Sequence, residues 1–312
     1  MRFAWRLVVG LVLLLLLLLL AGWATRARWL PYAIAGAPNA GKTAAHLDEG
    51  DSVPAATTGR AHDLRVEVGR PVASLSVRIL EPAGGASTAA RGTIFVLHGI
   101  RDSKRSMAGV AEAFRSAGYR AVLVDLRGHG QSTGDWLSFG DREGRDLKEV
   151  ADALAIEGVL ALPVGVYGPS YGGAAALQMA RRDPRVRAVV TVATYTRMRD
   201  IVPLYAERIA PAWLLAPPDV SAAMGRAGVL GDFDPGDADS VAAIASTTTA
   251  QVLLIHGRAD ANIPWQQSES LHDAASSHSR LLLLESLNHR TIMNDATVMC
   301  ESVAWFDRHL SP

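Results

Sequence analysis

Ser170 lies in Gly168-Pro169-Ser170-Tyr171-Gly172-Gly173, a serine with glycine two positions away on each side. That spacing occurs by chance in many chains and gains meaning only between a strand and a helix. Here Val164-Gly165-Val166-Tyr167 reads as a short apolar strand, and the run from Ala174 to Arg182 favours helix. On so sharp a turn the serine backbone is strained, and the flanking glycines keep neighbouring chain from colliding. The hydroxyl is directed outward, with a helix N-terminus behind it whose N–H groups favour developing negative charge. These are the requirements of a serine nucleophile.

A serine hydroxyl is a weak nucleophile at neutral pH. It needs a base, and the base needs a group that fixes its tautomer and stabilises its positive charge. His289, in Leu287-Asn288-His289-Arg290, follows the apolar run Leu281–Leu284 and is the expected base. Asp260 follows Val252-Leu253-Leu254-Ile255-His256-Gly257 and is the expected acid. The chain order serine, acid, histidine is the one that accompanies G-x-S-x-G on a strand-to-helix turn. Asp125, at the end of another apolar run, is the rival acid, but it precedes the serine. His256 reads as a packing or hydrogen-bonding residue. His46, His62, His272, His278 and His309 read as exposed or structural, and His98 and His129 belong to glycine-rich turns.

The tetrahedral intermediate of acyl transfer needs donors for its oxyanion. One is expected from the backbone N–H of Tyr171, the residue after the nucleophile. The other is expected from Ile100 in His98-Gly99-Ile100-Arg101, the loop after the run Thr93–Leu97.

The elements that must position these groups are visible as a rhythm. Leu64, Val66 and Val68 alternate with polar residues, and so do Leu75, Val77 and Ile79 after Gly69-Arg70-Pro71, which predicts an antiparallel pair. Short apolar runs then follow at Thr93–Leu97, Ala121–Asp125, Gly165–Tyr167, Ala188–Val192, Val252–Ile255 and Leu281–Leu284, each trailed by an amphipathic stretch. Continuous apolar strands alternating with helices predict a mostly parallel, doubly wound α/β sheet covered on both faces, with sites at the carboxyl ends of its strands. Between about 195 and 248 the rhythm breaks. Ile201, Val202, Leu204, Tyr205, Ile209, Trp213, Leu214 and Leu215, mixed with Pro203, Pro211, Pro217 and Pro218, predict short helices forming a cap over the strand ends.

Leu97-His98-Gly99, Asp125-Leu126-Arg127-Gly128-His129-Gly130-Gln131-Ser132, the Ser170 motif, Gly257-Arg258-Ala259-Asp260 with Ile263-Pro264, and Asn288-His289 together resemble the α/β-hydrolase superfamily, its lipase, esterase and aminopeptidase-like members above all. The resemblance runs from about residue 62 to 310. It implies the α/β-hydrolase fold, hydrolysis through Ser170, His289 and Asp260, and a structural role for the Arg127–Ser132 turn.

The N-terminus lies outside that resemblance. No charge occurs from Leu7 to Ala24, and Leu13 to Leu20 is unbroken leucine, between Arg2 and Arg6 on one side and Arg26 and Arg28 on the other. As a helix these residues span about 27 Å, close to the hydrocarbon thickness of a bilayer, with Trp5, Trp23 and Trp29 suited to the interfaces. Residues 1–30 are therefore expected to be a membrane anchor. A cleavable signal peptide is the alternative, since Gly22 and Ala24 place small residues at a suitable spacing, but the apolar run exceeds the usual length of one. The charge bias across the span is slight and favours an extracytoplasmic catalytic domain. Residues 31–61, rich in alanine, glycine, threonine and proline, are expected to be a linker, and 62–312 the hydrolase domain.

Composition limits the rest. With 312 residues, 49% of them hydrophobic, and basic and acidic residues equal at 31 each, the chain can bury a full core and has no net field to draw nucleic acid. Cys300 is the sole cysteine, which excludes an intrachain disulfide, and neither phosphate-cradling glycine spacings nor paired metal-ligand histidines occur. No metal or organic cofactor is expected. The partners expected are a small-molecule ester, with an apolar acyl portion suited to the cap, and the bilayer through residues 7–24. An aminopeptidase or amidase is the alternative within the fold, with a cap acid such as Glu207 holding the substrate amine. A catalytically silent, membrane-tethered binding protein is the alternative of another class.

Overall fold

The computed structural model describes residues 2–47, 61–83, 89–209 and 216–310. Eight strands form one sheet: β1 (Ala61–Val68), β2 (Ala73–Leu80), β3 (Thr93–Val96), β4 (Arg120–Val124), β5 (Val164–Pro169), β6 (Val186–Val192), β7 (Gln251–Gly257) and β8 (Ser279–Leu284). Their order is β1-β2-β4-β3-β5-β6-β7-β8. The hairpin β1–β2 joins β4 antiparallel, and every pairing from β4 through β8 is parallel. All the apolar runs read as strands in the sequence are strands, and the lead-in pair is antiparallel as expected.

The unbroken hydrophobicity of the strands follows from burial on both faces. Phe95, Val122, Val166, Val189 and Leu254 point into a core with α4 (Asp141–Ile156) and α5 (Tyr171–Ala180), where Leu147, Val150 and Leu154 pack. Their neighbours Ile94, Val96, Leu123, Val190 and Ile255 point the other way, to Phe114 of α3 (Ala108–Ser116) and Trp305 and Phe306 of α10 (Ala296–His309). Helix α9 (Gln266–Asp273) links β7 to β8. The expected cap region holds α6 (Met198–Ile209) and α7 (Pro217–Gly231), which pack together, whereas α8 (Ser240–Ser246) packs on α5 and belongs to the core layer. Trp213, Leu214 and Leu215 lie outside the described residues.

The N-terminal helix departs from expectation. Helix α1 runs from Arg2 to Ala35, straight through Pro31, and a short helix α2 (Ala44–Leu47) follows. Residues 36–47, expected as linker, pack on the domain. Ala37 N–H donates to Asp135 O at 2.9 Å, and the Asn39 side chain donates to the carbonyls of Gly130 and Ser132 at 2.7 and 3.0 Å. The composition of this stretch, with Pro31, Gly36 and Pro38, favours a break. Tertiary contacts override it, because Leu30 and Ala35 are buried in the main core and Leu137 N–H donates to Ala35 O. The rest of the expected linker, 48–60, lies outside the described residues.

Candidate functional site

Ser170 joins β5 to α5 with φ 50° and ψ −115°, a conformation sparsely populated by residues with a side chain. The motif glycines are there for space. A Cβ on Gly168 would lie 2.3 Å from Gly172 O, and one on Gly172 would lie 2.6 Å from His98 O. The turn is braced from below. Ser170 N–H donates to Val192 O at 2.7 Å, and the buried Tyr171 hydroxyl donates to Glu143 Oε1 at 2.7 Å. Glu143, itself buried, also accepts from the Ser138 hydroxyl and the N–H groups of Ser138 and Gly140. Burial, with the Glu143 charge beside it, keeps the Tyr171 phenol protonated far above its ordinary range. A rigid frame thus holds the strained residue.

Asp260 and His289 come together at the ends of β7 and β8. His289 Nδ1 lies 2.7 Å from Asp260 Oδ2, and Oδ1 accepts from the N–H groups of Asn262 and Ile263 at 2.7 and 2.9 Å. His256, fully buried, sets the second nitrogen of its ring 3.4 Å from the same Oδ2 and 2.9 Å from Ile263 O, while its Nδ1 meets the Ser268 hydroxyl at 2.6 Å. Burial alone pushes the Asp260 carboxyl up. The hydrogen bonds from His256 and His289, the His289 charge and the Ile263 N–H outweigh it and hold the group well below the usual carboxylate range. An ionised acid facing Nδ1 fixes that nitrogen as the donor and leaves Nε2 to accept a proton.

Ser170, Asp260 and His289 all follow the carboxyl ends of strands in one half of the sheet, β5, β7 and β8. Tyr205 on α6, named in the sequence only among the cap's apolar residues, links the first two. Burial raises its hydroxyl pKa, which the Arg208 charge lowers, the Asp260 charge raises and a hydrogen bond with the Ser170 side chain lowers. It lies four residues after the buried Ile201, on the same face of α6. What it faces depends on where α6 crosses the strand ends, which no local pattern encodes. Arg208, one turn on, donates to Asn262 Oδ1 at 2.7 Å and ties α6 to the acid loop.

The loop after β3 lies directly against the elbow, as the approach of His98 O to Gly172 shows. Ile100, half-buried, packs on the main core there. His98 accepts from Leu126 N–H at its Nε2 and faces Gly99 O with its Nδ1, so it is a neutral structural ring. Asp125 is fully committed elsewhere. It accepts from Lys104 Nζ at 2.5 Å and from the N–H groups of Lys104 and Gln131, with both side chains of the ion pair buried. Arg127 pairs in two-pronged fashion with buried Asp146 at 2.8 Å on each prong, and Ser132 Oγ donates to Asp125 O. The Arg127–Ser132 turn is scaffolding. Among the described residues no group of three histidine, cysteine or acidic side chains could hold a metal ion.

His98 and His129 carry a pH consequence. Burial lowers both, His129 to about 4, helped by the His98 charge. Between the ordinary 6.5 and 4, the unfolded chain binds a proton that folded His129 refuses, so this contribution is complete above pH 6.5 and is lost as pH falls. The thermal midpoint of the solubilised chain should therefore drop across that window by an amount worth about 3 kcal/mol from His129. His129→Gln should flatten the decline, and an unchanged slope in melts from pH 7 to 4.5 would remove His129 as its cause.

The fold is the α/β-hydrolase fold, and the family and structural matches are consistent with a serine hydrolase built on it. A family model described as serine aminopeptidase, S33, matches residues 88–227. The chain is 26% identical to YfhR of Escherichia coli strain K12 over 217 residues, 68% of this chain and 67% of that one, and 26% identical to YqkD of Bacillus subtilis strain 168 over 201 residues, 63% and 64% of the two chains. Among solved structures, the Pyrococcus furiosus esterase Pf2001 is similar with a TM-score of 0.67 at 18% identity, over 84% of this chain and 97% of that one. A Mycobacterium tuberculosis puromycin-hydrolyzing peptidase is similar with a TM-score of 0.62 at 17% identity, over 82% of this chain and 40% of that one.

Proposed function

We propose that the chain hydrolyses a carboxylic ester with an apolar acyl portion, through Ser170, His289 and Asp260. The observation that carries this reading is the 2.7 Å contact of His289 Nδ1 with an ionised Asp260, on the same rim as the strained Ser170. His289 Nε2 takes the proton of Ser170 Oγ as the oxygen attacks the ester carbonyl. The N–H groups of Tyr171 and Ile100 receive the oxyanion. Collapse breaks the bond to the alcohol oxygen, which takes the proton from His289. Water, deprotonated by His289, then cleaves the acyl-enzyme and returns the serine.

The ester reading over the aminopeptidase one rests on α6. Successive helix residues are about 100° apart, so Glu207 points roughly opposite to Tyr205, and it is exposed. With Tyr205 facing Ser170, Glu207 cannot meet a substrate amine there. The S33 match favours the peptidase alternative, and a substrate panel decides between them. A fluorophosphonate probe should label Ser170, and the chain should turn over p-nitrophenyl acyl esters at least about a hundredfold faster than aminoacyl amides. A reversed preference would transfer the reading to an aminopeptidase. Absence of both labelling and turnover would leave the silent binding protein.

Helix α1 is read as an uncleaved anchor. Val8–Ala35 is long and apolar enough to cross a membrane, and the leucines from 13 to 20 are all exposed. The helix passes without interruption through Ala24, where a signal peptidase would require extended chain. Arg26 is paired with Asp219 at 3.0 Å, which weakens the positive charge on the domain side and supports an extracytoplasmic catalytic domain.

A further inference from the structure

The end of α1 is planted on one particular edge of the domain. The Arg101 guanidinium, in the loop after β3, donates to Ala33 O at 3.3 Å. Trp136 and Leu137, in the loop after β4, bridge to Gly36 and donate to Ala35 O, and the Tyr32 and Trp136 rings lie 4.9 Å apart. Arg26 reaches Asp219 on α7. The two loops leave the carboxyl ends of their strands, and α7 is part of the cap. All three partners therefore belong to the end of the sheet that carries Ser170, and Arg101 is the neighbour of Ile100.

Distance makes this consequential. The charge-free run ends at Thr25, so at 1.5 Å per residue Arg26 stands about 1.5 Å and Ala35 about 15 Å beyond it. The headgroup layer occupies about 5 to 7 Å on each side of the hydrocarbon. Asp219 thus lies at headgroup level. Helix α7 then runs beside α1 away from the bilayer, since Gly231 at its far end lies against Trp136, which contacts Tyr32. The beginning of α7, next in the chain to the helix that carries Tyr205, is its membrane-proximal end.

We infer that the candidate active site faces the bilayer, and that its substrate is a bilayer-resident lipid ester whose acyl chain is drawn from the leaflet α1 enters. This rests on the reading of Ser170 as an esterase nucleophile and of α1 as an anchor. A continuous helix docked on the site's own rim holds the mouth over the lipid, whereas attachment at the amino ends of the strands would have turned it to water.

Two measurements on the full chain in phosphatidylcholine vesicles test it. The first inserts a flexible six-residue Gly-Ser segment between Thr25 and Arg26, which keeps the span and the docked residues but frees the domain's orientation. Hydrolysis of soluble p-nitrophenyl butyrate should be unchanged, while hydrolysis of a fluorogenic long-chain diacylglycerol analogue in the bilayer should fall at least about tenfold. An unchanged bilayer rate overturns the inference, and so does a parent chain that hydrolyses the soluble ester but not the lipid ester. The second needs no activity. With Cys300→Ser as background, a fluorophore at Ser221→Cys on exposed α7 should be quenched by headgroup nitroxide lipids, and one at Ile156→Cys, 87% exposed at the opposite end of the sheet, should not. Equal quenching, or stronger quenching at 156, overturns the orientation. Correct quenching with no turnover of either ester would instead sink the esterase reading and the lipid substrate with it.

Discussion

Ser170→Ala should abolish hydrolysis of an activated ester, lowering kcat about 10⁶-fold, while the chain folds as before. The side chain carries the reacting oxygen, whereas the elbow is held by backbone groups and by Tyr171 and Glu143. Alanine keeps the Cβ and therefore the strain at φ 50° and ψ −115°. Glycine does not. Ser170→Gly should be equally inactive yet more stable by about 1 kcal/mol, seen as a rise of a few degrees in the thermal midpoint over Ser170→Ala. The pair of variants separates chemistry from conformation. Residual turnover near the parent level in either would remove Ser170 as nucleophile, and a lower midpoint for glycine would show that the elbow stores no strain.

What the sequence disclosed follows from which constraints are local. The elbow was legible because its strain admits only small neighbours at fixed positions, so Gly168 and Gly172 had to be written beside Ser170. The strands were legible because burial on both faces demands unbroken apolar runs. Asp260 and His289 could be singled out because chain order and strand ends restrict where an acid and a base can stand, and the structure sets them 2.7 Å apart; His256 read only as a packing or hydrogen-bonding residue, with no partner visible. The end of α1 was not legible. Pro31 is a local breaker, and the forces that carry the helix past it to Ala35, the burial of Leu30 and Ala35 and the contact of Tyr32 with Trp136, come from residues about a hundred positions away. Tyr205 stayed hidden for the same reason. The sequence placed it only among the cap's apolar residues, and the crossing of α6 over the strand ends is what brings its hydroxyl to Ser170.

Two aspartates end strands near the site, and substitution by asparagine should affect them in opposite ways. At Asp260, asparagine can keep the acceptor for the Asn262 and Ile263 N–H groups, but its amide then replaces Oδ2, the oxygen that faces His289 and His256. Donor would meet donor. His289 relieves the clash by moving its proton to Nε2, the nitrogen that must accept from Ser170, so kcat should fall about 10⁴-fold with only a small change in thermal midpoint. At Asp125 the loss is structural. Lys104 Nζ lies 2.5 Å from its Oδ2, with both side chains nearly inaccessible, and the remaining Ser76 and Gln131 oxygens at 2.9 Å carry no charge. Removing one member of a buried pair costs about 3 to 5 kcal/mol, so Asp125→Asn should lower the midpoint markedly while each site that still takes fluorophosphonate keeps near-parent kcat. Full activity in Asp260→Asn, together with a dead but stably folded Asp125→Asn, would move the acid of the triad to Asp125. The commitment of the Asp125 carboxylate to Lys104 and Gln131 argues that this ion pair holds the loops after β3 and β4 together, and supports Asp260 as the proposed acid that serves His289.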